Sequence, residues 1–179
     1  KVRVVALESE KEVSKNGGIG VVEVRGPNVF KGYWKQSGKT KSEFRDDGYF
    51  ITGDMGFLDK DSYLTIVGRN KDLIITGGLN VYPKEIETVI DTDSKVEESA
   101  VIGVSHPDFG EGIVAIIVEK KGHKIDHKVL HATLQKNLAT FKLPKKIHII
   151  KELPRNTMGK VQKNVLRDMY EDEFRKTNK

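Results

Sequence analysis

Asp54, the pair Gly77-Gly78 and Lys160 are residues whose types and settings suit chemistry on a hydroxyl-bearing, anionic ligand. Asp54 follows the apolar stretch 49–52 and a glycine, so its carboxylate is expected on a loop at the end of a strand. A carboxylate is an acceptor with two oxygens and can hold two vicinal hydroxyls, such as those of a ribose; an ordinary turn aspartate is the commoner use of Gly-Asp. Paired glycines allow positive φ and let a ligand approach the backbone without a Cβ in the way, though a linker and tight turn are the commoner use of a lone Gly-Gly. Lys160 ends Asn156-Thr157-Met158-Gly159-Lys160, read as a flexible turn before the last helix. From there an ammonium can reach out several ångströms as a point charge, or simply stay in solvent. His127 and His131 have a metal-compatible i, i+4 spacing, but no third ligand lies at a sensible position, so a surface pair is expected.

The elements that must position these groups change character along the chain. Residues 2–7 and 19–24 read as a strand pair with a turn at Asn16-Gly17-Gly18. A polar segment over residues 35–45 has room for one short helix, and Asp46-Asp47-Gly48 signals a turn before a strand at 49–52. Residues 57–59 and 63–67 flank Lys60-Asp61-Ser62 as a hairpin. Next comes a charged joint at residues 69–72, then a buried-looking run at 73–75, the glycine pair, and Pro83, which suits a first helical turn. Beyond it Ile86, Val89 and Ile90 share a helix face, residues 100–104 and 113–118 are β-branched strands, and Asp126 is placed to cap a helix. That helix carries Val129, Leu130, Thr133, Leu134 and Leu138 on one side. A strand at 147–150 and a terminal helix striped by Val165, Leu166, Met169, Tyr170 and Phe174 complete the pattern. Alternating strands and helices here predict a small α/β domain, preceded by a mainly β region.

Composition narrows the classes. The 179 residues are 37% hydrophobic and 32% charged, which describes a folded chain able to bury a core. The absence of cysteine excludes disulfides, thiolate zinc sites and a Cys nucleophile, and fits a cytoplasmic location. No apolar run is long enough for a membrane-spanning helix. The net charge of +5 is spread as pairs (Lys120-Lys121, Lys145-Lys146) among acids, without an aromatic stacking platform, so no nucleic-acid partner is expected. A basic balance equally suits polyanions such as ATP and coenzyme A. The chain opens without Met on Lys1-Val2-Arg3-Val4-Val5, inside a strand, and reads as a fragment.

Three stretches together resemble the C-terminal signatures of the adenylate-forming enzymes, the superfamily of acyl-CoA synthetases, luciferases and peptide-synthetase adenylation domains. They are Tyr49-Phe50-Ile51-Thr52-Gly53-Asp54, residues 68–87, and Leu153-Pro154-Arg155-Asn156-Thr157-Met158-Gly159-Lys160. The likeness covers nearly the whole chain. Asn28-Val29-Phe30-Lys31-Gly32-Tyr33-Trp34 and residues 155–164 are similar to bacterial malonyl-CoA synthetases in particular.

The resemblance implies an α+β arrangement. Residues 1–70 would close a large, mainly β, barrel-like N-terminal domain, and residues 71–179 would form the small mobile α/β lid. It also implies a reaction: ATP and a short carboxylic acid, malonate, form an acyl-adenylate and pyrophosphate, and the lid then swings to let the coenzyme A thiol attack. Asp54 would bind the adenosine ribose and Arg69 the same nucleotide, with Lys71 as the hinge. Thr76, Gly77 and Gly78 would line the pantetheine tunnel, while Lys160 would face the carboxylate and α-phosphate as the catalytic cation and a target for acetylation and deacetylation. Magnesium would be held by ATP phosphates and the N-terminal domain, leaving no protein metal ligand here. The fragment alone, lacking the phosphate loop and acyl pocket, is expected to be inactive. The competing readings are an aryl- or fatty-acyl-CoA ligase, and a non-catalytic lid module that binds a nucleotide or a partner.

Overall fold

The computed structural model describes residues 1–7, 9, 11–13 and 18–175, and the chain divides into two compact units, Lys1–Lys71 and Asp72–Lys179. The first unit is an antiparallel sheet in the order β1 (Val2–Val5), β2 (Gly20–Val24), β3 (Phe50–Leu58), β4 (Leu64–Arg69), with α1 (Ser37–Glu43) between β2 and β3. Of the turn expected between β1 and β2, Asn16 and Gly17 lie outside the described residues. The stretches at 49–52 and 57–59 are parts of one continuous strand, β3, because Gly53 and Gly56 are absorbed within it. Glu23 is fully buried in this unit, yet it is paired: Arg3 approaches it at 2.7 Å and Arg45 at 2.9 Å. A buried carboxylate is tolerated only with such partners, and removing one typically costs about 3–5 kcal/mol.

The second unit is built on β8 (Gly110–Glu119), which lies between β7 (Val96–His106) on one edge and both β5 (Ile74–Thr76) and β9 (Lys146–Ile150) on the other. β8 pairs antiparallel with β7 and β5 and parallel with β9. Its run Ile113-Val114-Ala115-Ile116-Ile117-Val118 is buried throughout, as a strand covered on both faces must be. Ile113, Ala115 and Ile117 pack against Ile86 and Ile90 of α2 (Pro83–Ile90) and Leu130 and Leu134 of α3 (His127–Asn137). Val114, Ile116 and Val118 pack on the other side with Leu153 and with Leu166 of α4 (Lys163–Met169). Each large aliphatic side chain so buried contributes roughly 1.5–3 kcal/mol before ordering entropy is counted.

Local signals set the boundaries. Pro83 opens α2, and the Asp126 carboxylate caps α3 by accepting from Lys128 N at 2.8 Å and Val129 N at 3.3 Å. Val129 and Met169, expected on the apolar faces, are exposed, and Phe174 lies beyond the end of α4. A short strand, β6 (Leu79–Val81), turns back on β5 as a hairpin around Gly77-Gly78; the sequence pattern had shown only the turn. No helix among the described residues is long and apolar enough to cross a membrane.

Candidate active site

Asp54 is not on a loop. It lies in the middle of β3, directly opposite Arg69 on β4, and Arg69 Nη1 donates to Asp54 Oδ1 at 2.6 Å. The reason is a bulge. Val21 faces Met55 and Glu23 faces Ile51, so residues 52–54 share the single partner Val22. Gly53 takes φ +73°, in the left-handed region that glycine enters without a Cβ penalty. The Thr52 hydroxyl donates to the Val22 carbonyl at 2.8 Å and accepts from Asp54 N–H at 3.0 Å, replacing the lost ladder bond. That side-chain bond holds Asp54 where it meets Arg69. The pair is half-exposed, with side-chain exposures of 32% for Asp54 and 51% for Arg69. Surface pairs of this kind add only about 0–1 kcal/mol to stability. The arrangement places a cation beside an anion whose Oδ2 accepts no hydrogen bond among the described residues.

Lys71 is exposed in the 3-10 turn Asn70–Asp72, at the boundary between the two units. The next residue, Asp72, is tied into the second unit by Arg167 Nη2 at 2.7 Å. In that unit Thr76, Gly77 and Gly78 sit together at one end of β8. Thr76 pairs with Gly110, Gly77 N–H donates to the Phe109 carbonyl at 2.8 Å, and Thr76 is only 5% exposed. Both glycines have positive φ, +57° and +78°. A Cβ added to Gly77 would meet nothing nearer than Phe109 Cδ1 at 3.7 Å, so the backbone conformation, not crowding, calls for glycine there. Of the run expected to be buried before them, Ile74 is buried but Ile75 is exposed, since β5 alternates as strands do.

Lys160 lies at the other end of β8. Arg155 is ion-paired with Glu98, and Glu98 stands opposite Val118 in the β7–β8 register. From Gly110 to Val118 a strand runs roughly 27 Å at about 3.4 Å per residue. The turn is braced, not loose as expected from its glycine and polar residues. Asn156 Oδ1 accepts from Met158 N at 3.0 Å and Lys160 N at 2.9 Å, Gly159 N donates to Asn156 O at 2.9 Å, and Arg155 Nη1 donates to Gly159 O at 2.5 Å. The Lys160 ammonium, by contrast, is exposed and has no hydrogen-bond or ion-pair partner among the described residues. Lys163, a turn later, differs: it is spent on buried Glu87 at 2.6 Å, whose Oε1 also accepts from Val101 N at 2.9 Å. The histidine pair on α3 is exposed, and no group of potential metal ligands exists among the described residues.

The structure thus brings Asp54 together with Arg69, and Thr76 with the two glycines, while Lys160 stands apart at the far end of the second sheet. Sequence reasoning missed the partners that hold these groups: Thr52, Glu98, Arg155, and Glu111, whose carboxylate accepts from the Ile75 N–H at 2.6 Å. Thr52 and Arg155 lay inside quoted motifs without a role. Glu111, a lone charge between Gly110 and Gly112 where a buried strand begins, was a signal that could have been read.

Residues 85–160 match the family profile described as the AMP-binding enzyme C-terminal domain. The solved structure of ATP-bound MatB from Rhodopseudomonas palustris is 58% identical and superposes with a TM-score of 0.91, covering 98% of this chain and 35% of that one. Among curated proteins, the 2-succinylbenzoate–CoA ligase of Geobacillus kaustophilus is 41% identical over 148 residues, 83% of this chain and 30% of that protein. The long-chain-fatty-acid–CoA ligase of Bacillus subtilis is 41% identical over 142 residues, 79% of this chain and 25% of that protein. The chain spans about a third or less of the length of these relatives. With its three signatures placed on this fold and these likenesses across it, the chain belongs to the adenylate-forming, AMP-binding family that includes the acid–CoA ligases.

Proposed function

We propose that this chain is the C-terminal part of an ATP-dependent acid–CoA ligase that adenylates malonate and passes the malonyl group to coenzyme A. The observation that carries the coarse reading is the division of the second unit. An ammonium without a partner among the described residues lies on a braced turn at one end of β8, and a bare, positive-φ turn at the other. An adenylation step calls for a cation to meet the charge that builds on phosphoryl oxygens as pyrophosphate leaves. A thioester step calls for a thiol on a long arm to pass close to backbone. Two ends of one sheet, roughly 27 Å apart, serve these needs in turn if the unit pivots at Lys71, and hinges need only a few residues to absorb the change. Asp54 and Arg69 would hold the ribose and nucleotide, and ATP would bring magnesium with it. Acetylation of Lys160 would remove its charge and stop the first step.

The malonate assignment rests on the similarity of residues 28–34 and 155–164 to bacterial malonyl-CoA synthetases, together with the 58% identity to ATP-bound MatB. Relatives named for an aryl acid and a fatty acid share this same region at about 41% identity, which keeps those acids as the second reading. A steady-state panel on the full-length protein decides between them. With ATP, magnesium and coenzyme A, malonate should give the highest kcat/KM, with release of AMP and pyrophosphate. If acetate, an aryl acid or a fatty acid exceeds it, malonate is the wrong substrate and the ligase reading stands. If no acid supports CoA-dependent AMP formation, the ligase reading falls too.

A further inference from the structure

The strand that carries Thr76 into the Gly77-Gly78 turn is held to its sheet by very little. β5 meets β8 through the single bridge Thr76–Gly110, supplemented by the bond from Gly77 N–H to Phe109. One residue earlier, the Ile75 N–H donates not to a carbonyl but to the Glu111 carboxylate, Oε2, at 2.6 Å. A carboxylate acceptor makes that bond roughly twice as strong as a neutral one. The carboxylate also has a built seat. A Cβ on Gly103 of β7 would lie 2.6 Å from Glu111 Oε1 and 2.9 Å from Ile74 Cγ2, so only a glycine there leaves room for both. Gly103 has an ordinary strand conformation, so space and not φ explains its smallness. Along β8, Glu111 alternates onto the face of Ile113, Ala115 and Ile117, the face against which Ile74 is also buried. A charged residue at the rim of that apolar face, reaching across to a neighbouring strand's amide, is a latch.

We propose that Glu111 is a positioning residue for the thioester-forming half-reaction. Its carboxylate, seated over Gly103, fixes β5 on the sheet and so sets the height and direction at which the Gly77–Gly78 turn meets the coenzyme A arm. The inference rests on the ligase reading for the identity of that arm. It does not rest on it for the latch itself. Lys160, at the opposite end of β8, is outside its reach, so the latch acts on one half-reaction only.

The test uses the full-length enzyme and the variants Glu111→Ala, Glu111→Gln and Gly103→Ala. Three quantities are read: KM for coenzyme A, ATP–pyrophosphate exchange with the acid, and amide hydrogen exchange over residues 73–80. Glu111→Ala should raise KM for coenzyme A by about tenfold, the worth of one charge-assisted bond, while pyrophosphate exchange stays within about twofold. Glu111→Gln keeps an acceptor oxygen of the same reach but not the charge, and should bring KM back to within about threefold of wild type. Gly103→Ala leaves the carboxylate intact but takes its seat, and should reproduce Glu111→Ala. The Ile75 amide should exchange faster in Glu111→Ala and Gly103→Ala. Equal losses in both half-reactions, or an unaltered KM, would overturn the positioning role. Unchanged exchange at Ile75 would overturn the latch, and this measurement stands even if the wild-type enzyme makes no acyl-CoA. Absence of CoA-dependent product in wild type counts against the ligase reading instead.

Discussion

The two ends of β8 are built by opposite means. At the Gly110 end the proposed functional surface is backbone: two positive-φ glycines on a hairpin with one ladder bridge to β8 and a single side-chain latch. At the Val118 end it is a side chain: an ammonium without a partner among the described residues, on a turn braced by the Asn156 side chain and by Arg155. A surface for close passage of a neutral arm gains from having no side chain. A surface that must oppose developing negative charge gains from a cation whose base does not wander, because electrostatic stabilisation depends on prior placement. On the proposed division of labour, the contrast would account for Asn156 and Arg155 at one end and bare glycine at the other.

The largest effect tests whether the ends really divide the reaction. Lys160→Ala in the full-length protein should lower adenylate formation by about a hundredfold or more, the usual scale for losing a transition-state donor. Thioester formation from a supplied acyl-adenylate should be nearly unchanged. Stopped-flow measurement of each half-reaction checks it. Equal falls in both would mean that the two ends act together, and the comparison would break.

The next effect comes from the opposite end. Gly77→Val forces a β-branched residue into φ +57°, a conformation that costs an L-residue about 1–2 kcal/mol. The turn should relax away from its present course and slow thioester formation by roughly five- to thirtyfold at constant adenylation. Since Phe109 Cδ1 lies 3.7 Å from the added Cβ, an ordinary contact, Gly77→Ala should be milder but of the same kind. Loss of adenylation in Gly77→Val would place the turn in the wrong half-reaction.

Smaller still is the loss of bracing. Asn156→Ala removes the acceptor for two backbone amides, Met158 and Lys160, each such bond being worth about 1 kcal/mol net. Adenylation should fall by roughly threefold to thirtyfold, always less than in Lys160→Ala, because the cation remains but its base is looser. An effect equal to that of Lys160→Ala would mean that the turn, and not the ammonium, is what the reaction uses.

What the sequence revealed and what it hid follow from the range of the interactions. Asp126 was legible as a cap because its partners are two and three residues away, and Pro83 because its effect is confined to its own turn. The buried runs of β7 and β8 were legible because covering both faces leaves no polar alternation to interpret. Asp54 was misplaced onto a loop because Gly53 looks like a terminator in one dimension; only the register against β2 shows it as a bulge inside a strand. The latch from Glu111 to Ile75 spans 36 residues, and the Arg155–Glu98 pair spans 57. Spacing rules carry nothing over such distances. The same holds for Phe174, which fills the space beside Gly112 so closely that a Cβ there would lie 2.3 Å from its ring. The helical stripe put Phe174 on α4, but the helix ends at Met169 and the ring packs beyond it.

The smallest functional effect is expected where no residue of either turn is altered, and that makes it the control on all the others. Asp126 caps α3 by accepting from Lys128 and Val129, and α3 packs Leu130 and Leu134 against the middle of β8 through Ile113, Ala115 and Ile117. Asp126→Ala should lower stability by about 1 kcal/mol, the typical worth of an N-cap. In a unit of this size that corresponds to a fall of roughly 4–8 °C in Tm if it unfolds as a two-state domain. Asp126 is exposed. Although Ile125 beside it bonds Glu119 at the Val118 end of β8, α3 packs on the face opposite Leu153 and Leu166. At temperatures well below Tm both half-reactions should therefore keep their rates and their ratio. Thermal melts beside the two half-reaction assays measure this together. A changed ratio in Asp126→Ala would show that general softening of the sheet alters one end more than the other. The selective losses in Gly77→Val and Asn156→Ala would then report stability, and the division of labour along β8 would have to rest on Lys160→Ala alone.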